Sequence, residues 1–461
     1  MVVPGSCYPG VAAGMTALQI FYNSSTGLWN TSKWWQTANA LETTIDYSII
    51  TNTKTYHGNI RNTFEKHKRS KFLDRWFYDD DGWWALTWIK AYDLTGETRY
   101  LDMAKTIFNH MKKGWDSTCG GGMWWKKQRK YKNAITNELF LTVAARLHLR
   151  TPGDKGPGSY LDWTQRSWKW FKNSGLINSS NLINDGLNKS CKNNGQTTWT
   201  YNQGVILGGL VDLYKITNDP SLLTQAQLIA DAAISKLAPK GILREPCEPS
   251  KCEADGPQFK GIFIRNLYYL YQTTNKPAYK EFIVQNANSI LSHNRNSKNQ
   301  FGLNWAGPFD STNAARQSSA MDAINAAISL NPKGITYQAE HSTLHKLSTQ
   351  ALKSGYHGTG YVADWNRDQQ GVTFNVNVAC SGKQDLVFRY AAADGNASRY
   401  IRVGKSIISN QVFPGTGSWS RWNTVTVSGV WLNAGSNTVS VFFNSSKGSK
   451  NSLQLDQMTV P

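Results

Sequence analysis

Long hydrophobic runs are missing from this 461-residue chain. No apolar stretch approaches the ~18–20 residues that a membrane-spanning helix needs, so no membrane span is expected. Metal and nucleophile motifs are missing as well. The eight histidines form no HExxH pattern, which argues against a catalytic metal in the first two-thirds of the chain, and no paired CxxC knuckles exist to hold zinc. There is no GxSxG elbow. Gly120-Gly121-Gly122 lacks the Lys-Ser/Thr of a phosphate-binding loop. The opening MVVPGSC has no apolar signal core, so the chain reads as a mature or trimmed form. Acidic residues are scarce, with 31 Asp+Glu against 50 Lys+Arg and a net charge of +19. That excess suits an anionic partner. The basic residues are scattered, however. The nearest approach to a patch is Lys126, Lys127, Arg129, Lys130 and Lys132, and no nucleic-acid motif accompanies it, so nucleic acid is not expected.

Hydrophobic residues make up 40% of the chain, enough for large cores, and the length predicts two domains. Aromatics reach 12%, with 19 Trp and 20 Tyr. Cores rarely take so many, and flat rings beside polar groups suit sugars. The cysteines are Cys7, Cys119, Cys191, Cys247, Cys252 and Cys380. Cys247 and Cys252 lie close together in a Pro-rich loop, where a short disulfide is expected; the pairing of the others is open. Six N-x-S/T sequons, at Asn23, Asn30, Asn178, Asn188, Asn396 and Asn444, point with the even cysteine count to a secreted, oxidising setting.

The periodicity changes near residue 332. Before it, apolar residues recur at helical spacing. After it, GVTFNVNVAC, DLVFRYAAA, TVTVSGVWL and NTVSVFF alternate like short strands bounded by Gly, Asn and Ser. A helical domain is therefore placed at 5–331 and a β-sandwich, jelly-roll-like, at 335–461.

The helical part repeats. Gly82, Gly204 and Gly261 each stand ten residues before a tyrosine, Tyr92, Tyr214 and Tyr271. Each tyrosine is followed by Thr and then Gly or Asn: Thr95-Gly96, Thr217-Asn218, Thr274-Asn275. Such an ending lets a helix close in the left-handed conformation. A second amphipathic helix then follows, from near Tyr100, Leu222 and Tyr279. Weaker copies begin near residues 12, 137 and 314. Six hairpins whose first helices are apolar nearly all round predict a closed ring, an (α/α)6 barrel.

The segments entering the inner helices would line one mouth. The repeat register aligns Asp79, Asp80 and Asp81 with Tyr201, Asn202 and Gln203, and with Gln258, Phe259 and Lys260 at the third copy. Non-repeating polar residues at a repeated position predict a binding site, with Gln203 and Lys260 converging on its ligand. The loops ahead add Gly120-Gly121-Gly122, read as a flexible sugar-facing loop, and Trp124, Trp125, Trp199 and Trp305 as platforms for sugar faces. Asp79-Asp80-Asp81-Gly82-Trp83-Trp84 is the sharpest signal. Adjacent carboxylates repel, which raises at least one pKa, while a helix N-terminus favours the charged form. One protonated and one ionised carboxyl is the equipment of glycoside hydrolysis. Asp116, Glu138 and Asp255 are spare carboxylates near the same mouth.

These residues resemble a known family. YDDDGWWALTWIKAYDLTGETRYLDMA, GWDSTCGGGMWW, KNAITNELFL, TYNQGVILGGL and GPQFKGIF resemble glycoside hydrolase family 76, the endo-α-1,6-mannanases, over about residues 10–330. The resemblance implies hydrolysis of α-1,6-linked cell-wall mannan with retention, without a catalytic cofactor; the alternatives are a cell-wall transglycosidase on mannose-containing glycans and a non-catalytic, lectin-like mannan-binding scaffold. It makes Asp79 the nucleophile and Asp80 the general acid/base. Trp83, Trp84, Trp124, Trp125, Asn133, Asn137, Tyr201, Asn202, Gln203 and Lys260 become the substrate-binding candidates. The last ~125 residues resemble a family 35 (or related family 6) carbohydrate-binding module through TYQAEHSTL, SGYHGTGYVADW, GSWSRWNTVTV and LQLDQMTV. That resemblance implies sugar binding at Tyr361, Trp422 and Asn451, and a structural calcium on Glu340 and Asp456. The whole predicts a secreted, monomeric enzyme whose partner is α-1,6-mannan or a polysaccharide containing it.

Overall fold

The computed structural model describes all residues except 1–10, 249–251, 253, 331–334, 379–381, 434 and 461. The described residues fall into two compact units, one helical within Gly10–Leu330 and one of β-structure within Asn331–Pro461. Cys7 and Cys380 lie outside the described residues.

Twelve α-helices build the first unit. In chain order they are α1 (Val11–Gln19), α2 (Trp34–Thr51), α3 (His57–His67), α4 (Tyr78–Thr95), α5 (Thr98–Met111), α6 (Ala134–His148), α7 (Tyr160–Asn173), α8 (Thr200–Thr217), α9 (Pro220–Leu237), α10 (Phe259–Thr274), α11 (Pro277–His293) and α12 (Ala314–Ser329). The even-numbered helices pack in sequence, and α12 packs back on α2, so the inner ring closes. The inner helices are buried along most of their length: α8 exposes mainly its last turns, and α12 is buried from Ala314 to Ile328 except at Arg316. Outer helices such as α5 and α7 bury one stripe only. The predicted left-handed endings are present at Gly96 (φ 71°), Asn218 (φ 56°) and Asn275 (φ 51°), and a fourth closes α2 at Asn52 (φ 50°).

One inner helix differs from expectation. The copy placed near residue 12 is the outer helix α1; the inner member is α2. Its sequence, WWQTANALETTIDYSIIT, carries Asn39, Glu42, Thr43 and Asp46 and does not read as apolar. Asn39, Glu42 and Thr43 are buried and Asp46 is half-buried, because they meet partners from across the ring. Glu42 pairs with Lys90 (2.9 Å) and Arg265 (3.3 Å), Asp46 with Lys90 (2.6 Å), and Thr43 donates to Asp322 (2.7 Å). Arg146 pairs with Asp212 at 3.0 Å nearby. This network borders a cavity of about 270 Å³ at the C-terminal end of the inner helices, opposite the aspartates.

The second unit is a sandwich. One sheet has the order Ser406–Phe413, Ala397–Val403, Gly435–Phe442, Gly371–Val378, Thr343–His345. The other runs Asn423–Leu432, Gly382–Ala391, Gln454–Val460, Tyr361–Ala363, Ser348–Gln350, with Ile335–Gln338 also on Gln454–Val460. Every pairing is antiparallel. Alternating residues such as Val372, Phe374 and Val376 meet Leu386, Phe388 and Tyr390 in a single core, as the period of two requires. Trp431, on an edge strand, is exposed.

Burial pushes the Glu42 carboxyl up, but Arg265, Lys90 and Arg146 outweigh it and hold it at about 2 against an ordinary 4.5. A depressed carboxylate stabilises the fold fully above its unfolded value, and that stabilisation disappears as pH falls toward 2. Glu42→Gln is therefore expected to lower unfolding free energy by about 3 kcal/mol at pH 7. The difference should shrink as pH drops below 4, as measured by urea denaturation across pH.

Candidate active site

The N-termini of α2, α4, α6, α8, α10 and α12 share one mouth, since each inner helix returns through an outer one. Their dipoles place partial positive charge there. Asp79 and Asp80 occupy the second and third positions of α4, and both are partly open to the mouth. Asp79 Oδ2 accepts the indole N–H of Trp125 at 2.9 Å. Its other oxygen is buried without a partner. Burial raises Asp79 to about 7, against the opposing pull of the Trp125 N–H and the backbone N–H groups of the helix end. Asp80 is raised well above its ordinary value by burial and then by the charges of Asp79, Asp74, Asp81 and Asp255. Among the groups that act most on Asp80 none is a cation. The hydrogen-bond donors fall on Asp79, which favours its ionised form over that of Asp80.

Asp81 points elsewhere. It is fully buried, accepts the Asp74 backbone N–H at 2.6 Å and His110 Nδ1 at 3.0 Å, and lies 3.8 Å from Lys127. It fixes the turn before α4 and does not take part in the open pair.

Aromatic rings from four inner helices floor the mouth. Tyr201 stacks on Phe259 with centroids 3.8 Å apart and lies 6.4 Å from Trp83. Trp35 packs on Trp83 (5.6 Å) and Phe259 (6.1 Å), and Trp199 meets Phe259 at 5.6 Å. Trp35 also donates to Asp255 Oδ1 at 2.8 Å, and Lys33 pairs with the same carboxylate. Burial raises the Tyr201 phenol well above its usual range, with Asp185 and Asp79 adding to it, so it stays protonated as a donor. Trp35 escapes the sequence-based expectation, since it sits on the unrecognised inner helix. Phe259 is the residue that the repeat register aligns with Asp80.

Several expected site residues are elsewhere or otherwise engaged. Trp84 is fully buried against Trp34, Phe72 and Trp88, away from the mouth. Trp305 lies buried under Lys260. Asn133 caps α6 by accepting the Thr136 N–H. Asn137 clamps Met123, accepting its N–H at 2.7 Å and donating to its carbonyl at 3.1 Å. Gln203 does the same to Ile183 at 2.8 and 2.9 Å. Lys260 is wholly buried, donating to Glu248 Oε1 (2.6 Å) and to the Leu303 carbonyl (2.7 Å). Gln203 and Lys260 therefore do not converge on a ligand; like Asp81, they hold loops. Asn202 and Glu138 are buried with their polar atoms unpartnered, and burial pushes Glu138 well above its usual range. Asp116 belongs to the loop ahead of α6. Burial raises it, but Trp124 and Lys132 outweigh that and bring it to about 2.

Within the triple-glycine loop Gly121 and Gly122 are packed against Trp170, and Gly120 is exposed. Gly120, Gly121 and Gly122 all have positive φ, and a Cβ on Gly122 would stand 2.4 Å from the Trp170 ring. Cys119 is bonded to Cys191, and the expected Cys247–Cys252 disulfide is present.

In the sandwich unit Tyr361 is fully buried, against Trp422 (5.4 Å) and Tyr356 (5.6 Å). Trp422 also lies under the Arg389 guanidinium and donates to the Ser354 carbonyl. Asn451 is exposed on a separate loop, donating to the Asn396 carbonyl. Glu340 Oε1 accepts the N–H groups of Thr359 (2.9 Å) and Gly360 (3.2 Å), while Glu340 Oε2 and Gln338 Oε1 are buried without partners. Asp456 is fully buried and already neutralised by Arg389, with the His357 N–H also on it. Glu340 fits a cation's donor set; Asp456, holding a guanidinium, does not. Among the described residues no group of three or more His, Cys, Asp or Glu could hold a metal.

The family model of glycosyl hydrolase family 76 matches residues 12–339, and that of carbohydrate binding module family 35 matches residues 335–455. The chain belongs to glycosyl hydrolase family 76. Among curated relatives, the mannan endo-1,6-alpha-mannosidase DFG5 of Saccharomyces cerevisiae is 32% identical over 208 residues, covering 41% of this chain and 44% of that protein. DCW1 of Eremothecium gossypii, which carries the same activity name, is 27% identical over 306 residues, covering 59% and 66%. The matches thus span roughly half to two-thirds of those relatives' length. An inactive variant of the alpha-1,6-mannanase GH76A of Salegentibacter sp., solved with alpha-1,6-mannotriose, superposes with a TM-score of 0.61 at 21% identity, covering 69% of this chain and 98% of that one. Dfg5 from Chaetomium thermophilum, solved with glucosamine, gives 0.62 at 19%, covering 69% and 89%. Both have the (α/α)6-type helical fold of the first unit.

Lys260→Met leaves Glu248 buried without its cation. The expected result in this family 76 chain is a loss of about 3–5 kcal/mol of stability with little change in the pH dependence of any activity, checked by thermal melting alongside a pH–rate profile.

Proposed function

We propose that this chain is an endo-acting α-1,6-mannosidase that cleaves cell-wall mannan with retention of configuration. One observation carries the reading: two adjacent carboxyls at the barrel mouth, both raised, with the donors concentrated on Asp79. Family membership and the activity names of the relatives support it. So does the Salegentibacter enzyme, where an inactive variant has two consecutive aspartates replaced.

In this reading ionised Asp79 attacks the anomeric carbon while Asp80 gives its proton to the departing glycosidic oxygen. The C–O bond breaks and a glycosyl ester forms on Asp79. Asp80, now a carboxylate, takes a proton from water; the hydroxide oxygen displaces Asp79, and both groups return to their starting state. Trp35, Trp83, Tyr201 and Phe259 offer apolar ring faces to the mannose units, and the Tyr201 hydroxyl offers a donor. Trp422 and Asn451 are the sugar-binding candidates of the module; of the expected calcium pair only Glu340 keeps an unpartnered oxygen, beside that of Gln338, and a structural calcium would be held there without Asp456. A secreted or cell-wall location accords with the disulfides and with the sequons, none of which has a buried asparagine.

Asp79→Asn and Asp80→Asn are each expected to lower turnover of unbranched α-1,6-mannan by at least about 10²-fold while leaving melting temperature and mannan binding in place. Wild type should release a ladder of short oligosaccharides. Its acid limb should lie above the ordinary carboxylate range, because activity appears as Asp79 deprotonates and fades as Asp80 does. A wild type that binds mannan but releases no reducing ends would make it a scaffold.

For the module, EDTA is expected to lower its melting transition and added calcium to restore it. An unchanged melt would remove the calcium assignment at Glu340.

A further inference from the structure

The loop ahead of α6 is built around a buried charge. Lys132 is 2% exposed. Its ammonium donates to the carbonyls of Thr118 (2.6 Å), Gly121 (2.6 Å), Gly122 (2.9 Å) and Asp116 (3.4 Å), and to Asp116 Oδ1 (3.0 Å). Five oxygens around one ammonium resemble the surroundings of a bound metal cation more than a simple ion pair. Trp124 lies under the same ammonium at 4.8 Å and donates to Asp116 Oδ2 at 2.7 Å. Trp170 supports the loop from below, donating to the Cys119 carbonyl at 3.0 Å.

The next residue leaves this platform for the catalytic helix. The Trp125 carbonyl accepts the Tyr78 N–H at 3.0 Å, and its indole N–H reaches Asp79 at 2.9 Å. The loop is thus bonded to two consecutive residues at the start of α4. Lys132 touches neither Asp79 nor Asp80, so any effect it has on them passes through the loop.

We propose that Lys132 is a positioning residue for the glycosidic cleavage, its ammonium serving as an internal cation that folds residues 115–125 and sets the Trp125 indole N–H on Asp79. The proposal rests on the reading of Asp79 as nucleophile. An N–H donor favours the ionised carboxylate, so misplacing it lets burial act with less opposition and Asp79 keeps its proton to higher pH.

The test uses the full chain and unbranched α-1,6-mannan. Trp125→Phe and Lys132→Ala are both expected to shift the acid limb of kcat/KM upward by about one pH unit. Turnover below neutral pH should fall about tenfold to a hundredfold. Added n-propylammonium, which supplies the missing methylenes and ammonium, should restore Lys132→Ala but not Trp125→Phe. Tetramethylammonium at equal ionic strength has no N–H and should restore neither. A Lys132→Ala enzyme with the wild-type acid limb overturns the proposal, as does rescue by both cations alike. If Lys132→Ala does not fold, Trp125→Phe decides, and an unmoved limb there overturns it. A wild type inactive on mannan is a separate result: it removes the mannanase reading and this proposal with it.

Discussion

Each inner helix of the barrel enters from a loop whose backbone is too enclosed to rely on water, and a polar side chain near the helix start satisfies that backbone. Asp81, Asn137, Gln203 and Gln317 are each the fourth residue of their helices, and they bond to Asp74, Met123, Ile183 and Phe301. Gln36 on α2 does the same for Lys33, whereas Lys260 on α10 reaches across to Leu303 in the loop that enters α12. An unpaired buried peptide group costs more than a typical hydrogen bond returns, so these clamps are obligatory. They fix the entering segments of five inner helices, and the geometry of the mouth follows. The residues just ahead of the clamp, Asp79 and Asp80 on α4 and Tyr201 and Asn202 on α8, are left to face inward.

The two ends of the ring treat carboxylates in opposite ways. At the C-terminal end Glu42 is more enclosed than Asp79, yet it has two cations in contact and is held near 2. At the mouth, Lys33 is spent on Asp255 and Lys127 lies beside Asp81. Asp79 and Asp80 have no cation among the groups that act most on them, so burial dominates and both rise. Neutralising charge builds the scaffold at one end; its absence keeps a proton available at the other. The sandwich holds a buried cation at its loop end on carbonyls instead. Arg399, fully buried, donates to the carbonyls of Ser398, Lys450, Trp365 and Asn451 and so ties the strand ends to the loop that bears Asn451.

The amino-acid sequence by itself determined the change from period 3.6 to period 2 near residue 332, the hairpin endings at Gly96, Asn218 and Asn275, and the acidic run at the head of α4. These are local: a left-handed cap, an alternating strand or three consecutive carboxylates is legible without knowing what lies across the fold. The repeat register was equally legible, since Asp81, Gln203 and Lys260 do occupy equivalent places. Only the tertiary structure decided what those places do, because whether a polar side chain meets a ligand or a loop carbonyl depends on a partner 7 to 43 residues away. The same holds for α2, whose Glu42 and Asp46 look like surface residues until Lys90 and Arg265 are brought to them. It holds too for Trp125, a sugar platform by composition and a donor to Asp79 by geometry. Periodicity records which face of a segment avoids water; it carries no record of which distant group will satisfy a buried charge or N–H, and that pairing selected the working residues from the structural ones.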